Sequence, residues 1–413
     1  MVIEVNVLII NTFFRGGGAE KVSRQLYYGF RKYDDMNCFF LAGKAGEQRE
    51  PCNHIYRSGT IRQAVNRRIC RMKKGQRERD WYTVRTIVRM IREKKIDLVH
   101  FHNMHGDYIG IKDIGEISKY CKVVWTLHDM WAMTGHCAYP CQCSGGGGKN
   151  ACRNCPDLNS YPMIRKDIAE YLYKLKRKAF TGKKIHFAVP SAWLMKQCEQ
   201  SFLDGESKTL IHNGVSTEVF HPMNKARLRQ KYGISQDKLI LLFAANNTDS
   251  PYKGGDILES ALAKVKRKEK YELVIVGNAE HFSFDNDYVC HYMGYIQSDD
   301  KMNELYSLSD VFIIPSRAEN FPCTILESLA SGTPVIASDV GGIAEQIDAD
   351  TGWLFDMGNA ERLAEIIDAL PDNKGRLHIM NGRCRKRAED SFSEEKMLKE
   401  YYQLYLRVME EKL

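Results

Sequence analysis

The stretch Val311-Phe312-Ile313-Ile314-Pro315-Ser316-Arg317-Ala318-Glu319-Asn320-Phe321-Pro322-Cys323-Thr324-Ile325-Leu326-Glu327 decides the fold. Four uncharged apolar residues at its start read as a strand buried on both faces, the kind found in parallel sheets. A polar turn follows. Pro322, suited to the first position of a helix, then opens an apolar helical segment. Strand, short loop and helix form the unit of an open α/β sheet, in which ligands sit beyond the carboxyl ends of the strands. Glu319 therefore precedes the helix, and Glu327 lies about a turn and a half inside it.

Working outward, the same alternation recurs along the chain. One set of strands is read at Val5 to Ile10, Cys38 to Leu41, Leu98 to Phe101, Val123 to Leu127 and His186 to Val189. A second set is read at Thr209 to Ile211, Leu239 to Ala244, Leu273 to Val276, Val311 to Ile314 and Val335 to Ala337. The 413 residues exceed what one hydrophobic core usually serves. The reading is α/β, with two Rossmann-like domains facing a cleft: residues 1–205, carrying a cysteine-rich insertion at 135–157, and residues 206–392. No repeat is visible between the halves, and the boundary is placed near Leu203-Asp204-Gly205. Residues 393–413 read as a C-terminal helix packing back on the body, with Ser393 as its cap, Glu394 and Glu395 in its first turn, and Met397, Tyr401, Leu404 and Val408 on its apolar face.

Hydrophobic residues at 44% and charged residues at 27% are ordinary for a globular protein and give no reason to invoke disorder. The first apolar stretch, Val2 to Ile10, is far shorter than the roughly 18 residues of a membrane span. It also lacks the basic flank and cleavage site of a signal peptide, so it reads as a buried strand of a cytoplasmic protein. The net charge of +8 is concentrated: Arg57 to Lys95 holds fourteen Lys or Arg against Glu78, Asp80 and Glu93. That run is either a solvated helical surface or a surface attracted to an anionic membrane or a pyrophosphate-bearing acceptor, which would make a peripheral membrane contact. With Trp81 and Tyr82 the only aromatics near its centre, nucleic acid is not expected as a partner.

Backbone N–H groups at the helix start, around Asn320, Phe321 and Thr324, can hold a phosphate through unpaired donors and the helix dipole. A diphosphate there would leave Glu319 and Glu327 to address sugar hydroxyls on either side, which describes a nucleotide-sugar site. In the first half, Arg15-Gly16-Gly17-Gly18-Ala19-Glu20 follows the first strand, and Gly17 and Gly18 would let the backbone approach a ligand closely. The alternative is a simple turn, since the spacing matches neither a dinucleotide fingerprint nor a P-loop. His128 ends a strand and is followed by Asp129; it faces either a reacting sugar or the core. Among the 13 cysteines, Cys137, Cys141, Cys143, Cys152 and Cys155 crowd together, and four thiolates suit a closed zinc site, with free thiols or a redox pair as alternatives. Asp285-Asn286-Asp287 matches a D-x-D metal motif but falls in a late polar loop, and no catalytic metal or other cofactor is expected.

Glu319 and Glu327, with their E-x7-E spacing, resemble the signature of glycosyltransferase family 4 of the GT-B fold. The following Ser328 to Asp339, the turn Gly341-Gly342-Ile343-Ala344-Glu345, and His212-Asn213-Gly214-Val215 are similar to that family's neighbouring segments. The likeness covers nearly the whole chain. It implies that Glu319 lies near the donor sugar, that Glu327 binds the ribose, and that Lys253, in Pro251-Tyr252-Lys253-Gly254-Gly255-Asp256, neutralises the donor diphosphate in place of a metal. It also implies that the glycine loop lies near donor phosphate and acceptor, that His128 meets the sugar or acceptor, and that Cys137, Cys143, Cys152 and Cys155 hold a structural zinc. A solvated loop lysine is the other reading of Lys253. The family's arginine is missing from Ala244 to Pro251. The implied activity is retaining transfer from a nucleotide-sugar donor to a lipid-linked saccharide acceptor in surface polysaccharide biosynthesis, of the colanic acid type. A nucleotide-sugar 2-epimerase of the same fold and a non-catalytic zinc-stabilised scaffold are the alternatives.

Overall fold

The computed structural model describes residues 4–46, 51–56, 61, 64–65, 68–69, 77–140, 143, 152–247, 251–278 and 287–411. The chain divides into two units, Met1–His212 with Leu398–Leu413, and Asn213–Met397.

The first unit holds a seven-stranded, all-parallel sheet of β1 (Val5–Asn11), β2 (Met36–Lys44), β3 (Asn53–Tyr56), β4 (Leu98–Phe101), β5 (Lys122–Thr126), β6 (Ile185–Val189) and β7 (Lys208–Leu210). Its order is β3-β2-β1-β4-β5-β6-β7. The helices are α1 (Gly18–Phe30), α2 (Trp81–Glu93), α3 (Ile111–Ile117), α4 (Ala169–Phe180) and α5 (Ala192–Glu199). The strand expected to open the second set pairs with β6, so it closes the first sheet instead. The division between units correspondingly falls at His212, later than the sequence reading placed it. At three residues with no fully buried side chain, β7 is an edge strand whose sheet membership only its partner reveals.

The second unit holds a six-stranded parallel sheet of β8 (Leu239–Asn247), β9 (Tyr271–Asn278), β10 (Val289–Tyr292), β11 (Val311–Ile314), β12 (Val335–Ser338) and β13 (Gly352–Phe355), in the order β10-β9-β8-β11-β12-β13. Its helices are α6 (Lys225–Tyr232), α7 (Gly255–Lys264), α8 (Asp299–Leu308), α9 (Cys323–Ala330), α10 (Ile343–Gln346), α11 (Ala360–Ala369) and α12 (Lys374–Phe392). Because side chains alternate along a strand, β8 and β11 feed two separate cores. Ile240, Leu242, Phe312 and Ile314 join one. Leu239, Leu241, Phe243, Val311 and Ile313 join the other. That two-sided burial is why these strands are continuous apolar runs rather than alternating ones.

The last helix, α13 (Glu394–Glu410), begins in the second unit and ends in the first. Ser393 Oγ accepts from the Lys396 N–H at 3.3 Å, which is the cap the sequence pointed to. The start is tied to Val215, whose N–H donates to Phe392 O at 2.8 Å and whose carbonyl accepts from Glu394 N at 2.9 Å. Beyond Met397, the Tyr405 hydroxyl meets His100 Nδ1 at 2.6 Å, and the Tyr401 hydroxyl meets Thr126 Oγ1 at 2.8 Å. Among the described residues, no helix is long and apolar enough to cross a membrane.

Candidate active site

In each sheet the strand order reverses between two adjacent parallel strands, β1 and β4 in the first and β8 and β11 in the second. Loops leaving such a pair diverge and open a crevice at their carboxyl ends. In the second unit, the loop after β8 brings Lys253 and the loop after β11 brings Glu319. The Lys253 Nζ donates to Glu319 Oε1 at 2.7 Å, and Ser316 Oγ donates to the same oxygen at 3.0 Å. Glu319 is 8% exposed. The lysine side chain is 37% exposed, so the cation sits at the mouth of the site and the carboxylate inside it.

Two glycine turns fix the loop that carries Glu319. Gly254, at φ +67°, passes so close that a Cβ there would lie 1.9 Å from Pro315 O. Gly341, at φ +61°, would put a Cβ 1.7 Å from Glu319 O. Neither position accepts a side chain without moving the loop. Hydrogen bonds complete the clamp: Arg317 N donates to Tyr252 O and Gly342 N to Asn320 O, each at 2.8 Å. The Arg317 guanidinium grips both oxygens of Asp256 at 2.7 and 2.5 Å, and that hydrogen bonding holds the Asp256 carboxyl below the usual range.

Pro322 occupies the cap position, not the first helical position expected for it, and α9 starts at Cys323. No side chain caps that helix start, although its neighbours are pinned. Asn213 Nδ2 donates to Phe321 O at 2.9 Å, and Gln346 Nε2 donates to Pro322 O at 3.1 Å. Asn320 and Phe321 are buried, and Thr324 is half-buried. With carbonyls 321 and 322 held from within, the N–H end of α9 and its positive dipole end can receive an anion. Glu327, the fifth residue of α9, is buried, and its Oε2 accepts from the Tyr306 hydroxyl on α8 at 3.2 Å. Burial, with Glu327 beside it, pushes the Tyr306 phenol well above its ordinary range and keeps it a donor.

In the first unit, Gly17 occupies the cap position of α1 and Gly18 its first position, without a side-chain cap from Gly17. The buried Glu20 carboxylate reaches back to the Gly17 N–H and accepts from Asn11 Nδ2 at 3.3 Å. Burial nonetheless raises Glu20 above the ordinary carboxylate range. The Gly17 N–H is thus directed at a carboxylate of its own helix, the reciprocal half of a capping box.

His128 follows β5, half-buried, with Nε2 at 2.9 Å from His102 Nδ1 beyond the end of β4. Burial, then the neighbouring His105, takes His128 down to about 4. Asp129 Oδ2 pairs with His105 Nε2 at 2.8 Å, and its Oδ1 accepts from Trp131 N at 2.8 Å. Burial alone would raise Asp129, but His105 outweighs it and holds the carboxyl below its ordinary range.

The cysteine-rich insertion lies just beyond. Gly135 N donates to Cys152 Sγ at 3.1 Å, and His136 Nε2 lies 3.3 Å from Cys155 Sγ while its Nδ1 meets Pro162 O at 2.9 Å. Burial, with Cys152 and Cys155 adding to it, pushes the Cys137 thiol up to about 12. Among the described residues, no group of three or more His, Cys, Asp or Glu has an arrangement that could hold a metal ion. Cys143 is described; Cys141 and Asp285 lie outside the described residues, as does much of the basic run. Lys176 is fully buried beside this insertion, donating to Trp131 O at 2.6 Å and Thr134 O at 3.2 Å, with Nζ 3.7 Å from the centre of the Trp131 ring. Burial takes it down to about 7.

Two family models cover most of the chain: glycosyltransferase family 4 over residues 16–219 and glycosyl transferases group 1 over residues 224–390. The chain belongs to these glycosyltransferases. A glycosyl transferase named for colanic acid biosynthesis, WcaC of Escherichia coli strain K12, is 25% identical over 75% of this chain and 76% of its own. Further relatives align over about half of their own length. Among solved structures, sucrose-phosphate synthase from Thermosynechococcus elongatus superposes with a TM-score of 0.74 at 17% identity, covering 98% of this chain and 99% of that one. Anabaena HepE, solved in complex with UDP-glucose, superposes with a TM-score of 0.68 at 16% identity, covering 98% and 100%. These superpositions identify the fold as GT-B.

In this glycosyltransferase, Lys253, Glu319 and Glu327 fall within the group 1 region, and Gly17, Gly18, His128 and the cysteines fall within the family 4 region. The structure brings Lys253 onto Glu319 and leaves Glu327 on a different partner, Tyr306. Sequence reasoning missed Ser316, Tyr306, Glu20, His102 and His105. Only the histidines left a signal, because His100, His102 and His105 crowd the end of β4, and the alternation of a strand continued past its end puts His100 and His102 on one side.

Proposed function

We propose that this glycosyltransferase moves a sugar, with retention of configuration, from a nucleoside-diphosphate sugar to a saccharide acceptor carried on a lipid, for surface polysaccharide assembly at the cytoplasmic face of a bacterial membrane. The Lys253–Glu319 pair at the β8/β11 switch point, beside the start of α9, is the observation that supports it most. A diphosphate arriving at the helix start draws the half-exposed ammonium toward its own charge. Glu319 is left facing the sugar, and Glu327 accepts from the ribose hydroxyls. As the sugar C1–O bond to the diphosphate breaks, the acceptor oxygen bonds C1 on the same face, and its proton passes to the departing phosphate oxygen. Lys253 and the α9 dipole stabilise the charge that develops there. The complex of HepE with UDP-glucose makes a uridine diphosphate sugar the first donor to try.

The lipid-linked acceptor rests on the relative named for colanic acid biosynthesis and on the basic run, of which Arg85, Arg89 and Arg92 on α2 are exposed, as is Trp81. A structural zinc held by Cys137, Cys143, Cys152 and Cys155 belongs to the same reading, supported by their sulfur chemistry and by His136 lying against Cys155. The deciding experiment is a thermal-shift panel of UDP, GDP, ADP and CMP and their sugars on wild type and Glu327→Ala. A ligand at about one hundred times its dissociation constant adds roughly 2.7 kcal/mol. One nucleotide should stabilise wild type and not the variant; no stabilisation by any of them would sink the donor assignment.

A further inference from the structure

His102 is almost completely buried and firmly held: its N–H donates to Ile10 O at 2.9 Å, and its carbonyl accepts from the Trp125 indole at 2.9 Å. Its ring lies 4.3 Å from that of His100, whose two nitrogens are both engaged, by Tyr405 and Thr126. The planes of His102 and His128 are within 19° of parallel, and a single 2.9 Å contact joins His102 Nδ1 to His128 Nε2. The other nitrogen of His102, Nε2, is buried without a hydrogen-bond partner among the described residues.

Two neutral imidazoles sharing one N–H···N bond have two arrangements. In the first, His102 carries its proton on Nδ1 and donates it, leaving a bare lone pair at the orphaned Nε2. In the second, His128 donates from Nε2, and the proton of His102 must sit on Nε2 as a buried N–H with no acceptor. Buried donors left unpaired are rarer than under-used acceptors. A charged pair is disfavoured because burial lowers both rings below the ordinary histidine range.

We infer that His102 is a positioning residue that donates from Nδ1 to His128 Nε2 and so fixes His128 as the Nδ1–H tautomer, a hydrogen-bond donor toward substrate rather than a base through Nε2. The inference rests on the proposed reading only for the substrate that His128 meets, a sugar hydroxyl oxygen that can accept this proton. The tautomer itself does not depend on that reading. His102 acts through His128 and need not touch substrate.

The test is the two-bond nitrogen–proton correlation spectrum of the full chain labelled with 15N-histidine, with the His128 signals assigned by their loss in His128→Gln. His128 should read as Nδ1-protonated in wild type. His102→Leu should return it toward the Nε2–H form that histidine favours in water. His102→Asn, whose amide N–H takes the place of Nδ1–H, should keep the wild-type tautomer. Sugar transfer should fall about tenfold in kcat for Leu, one lost hydrogen bond, and recover to within about twofold for Asn, with the donor KM little moved. A wild-type spectrum showing His128 protonated at Nε2 overturns the inference, whatever the activity and whether or not the variants fold. Absence of transferase activity alongside the Nδ1–H tautomer sinks the proposed function and leaves the inference standing.

Discussion

At the end of β11 a carboxylate is held by an ammonium and a hydroxyl, while at the ends of β4 and β5 two imidazoles are held by each other. Both sets of groups lie at the carboxyl end of a parallel sheet, yet the second unit uses Lys253–Glu319 and Arg317–Asp256, while the first sets the His102–His128 pair beside its His105–Asp129 pair. The difference follows from depth. Lys253 and Arg317 reach water, where ions are inexpensive to keep. His100 and His102 are essentially sealed, where a charge would lose its hydration, so they stay neutral and are used for direction rather than charge. In the proposed reaction, Lys253 would meet the leaving group and His128 would orient a hydroxyl.

The largest effect should come from breaking the charged half. Lys253→Ala should lower the rate of transfer about 10²–10³-fold, the usual loss for one electrostatic stabiliser, with Lys253→Arg recovering part of it. Nucleotide release measured against time checks this, and an unimpaired Lys253→Ala enzyme would remove the contrast between the halves. Next, Glu327→Ala should weaken nucleotide binding about ten- to a hundredfold in calorimetry, the cost of hydrogen bonds to an ionised acceptor, with a smaller change in the rate at saturation.

The neutral half should break with acid. His100 and His128 sit at about 3 and about 4 in the folded chain, against about 6.5 unfolded. Between those values the unfolded chain binds more protons, so stability falls as pH drops below about 6.5, by roughly 1–2 kcal/mol for each histidine between pH 7 and pH 5. Glu20 and Asp113, raised by burial, work in the opposite sense and offset part of it. Urea titrations at pH 7 and pH 5 read the outcome cleanly, since Trp81, Trp125, Trp131 and Trp193 report the first unit and Trp353 the second. Equal losses in both units would erase the comparison. The smallest effect concerns the insertion: if it binds zinc, purified protein should carry about one metal ion per chain, and chelation should impair acceptor use before nucleotide binding. A metal-free preparation with full activity removes zinc from the account.

How much of this the sequence disclosed depends on how many faces a segment buries. Leu98–Phe101 and Val311–Ile314 could be read to the residue because both faces are covered, and nothing but apolar side chains fits, His100 excepted. Asn53–Tyr56, Val289–Tyr292 and Gly352–Phe355 escaped notice because they are edge strands with mixed burial. Glu319 and Glu327 could be singled out by a local spacing, and Lys253 by resemblance to the family's segment. Partners could not: Tyr306 stands 21 residues from Glu327 on another helix, and His102 stands 26 from His128 beyond the end of another strand. Such pairs exist only once the sheet has formed.

The division of α13 between the two units bears on the order of events during synthesis. The first unit, begun much earlier, is complete only after every residue of the second has been added, because the helix that carries Tyr401, Leu404 and Tyr405 into its interior comes last. At roughly 5–20 residues per second, the 201 residues from Asn213 to Leu413 take on the order of 10–40 s to make. Through that interval the half translated first lacks the two hydroxyls that meet His100 and Thr126.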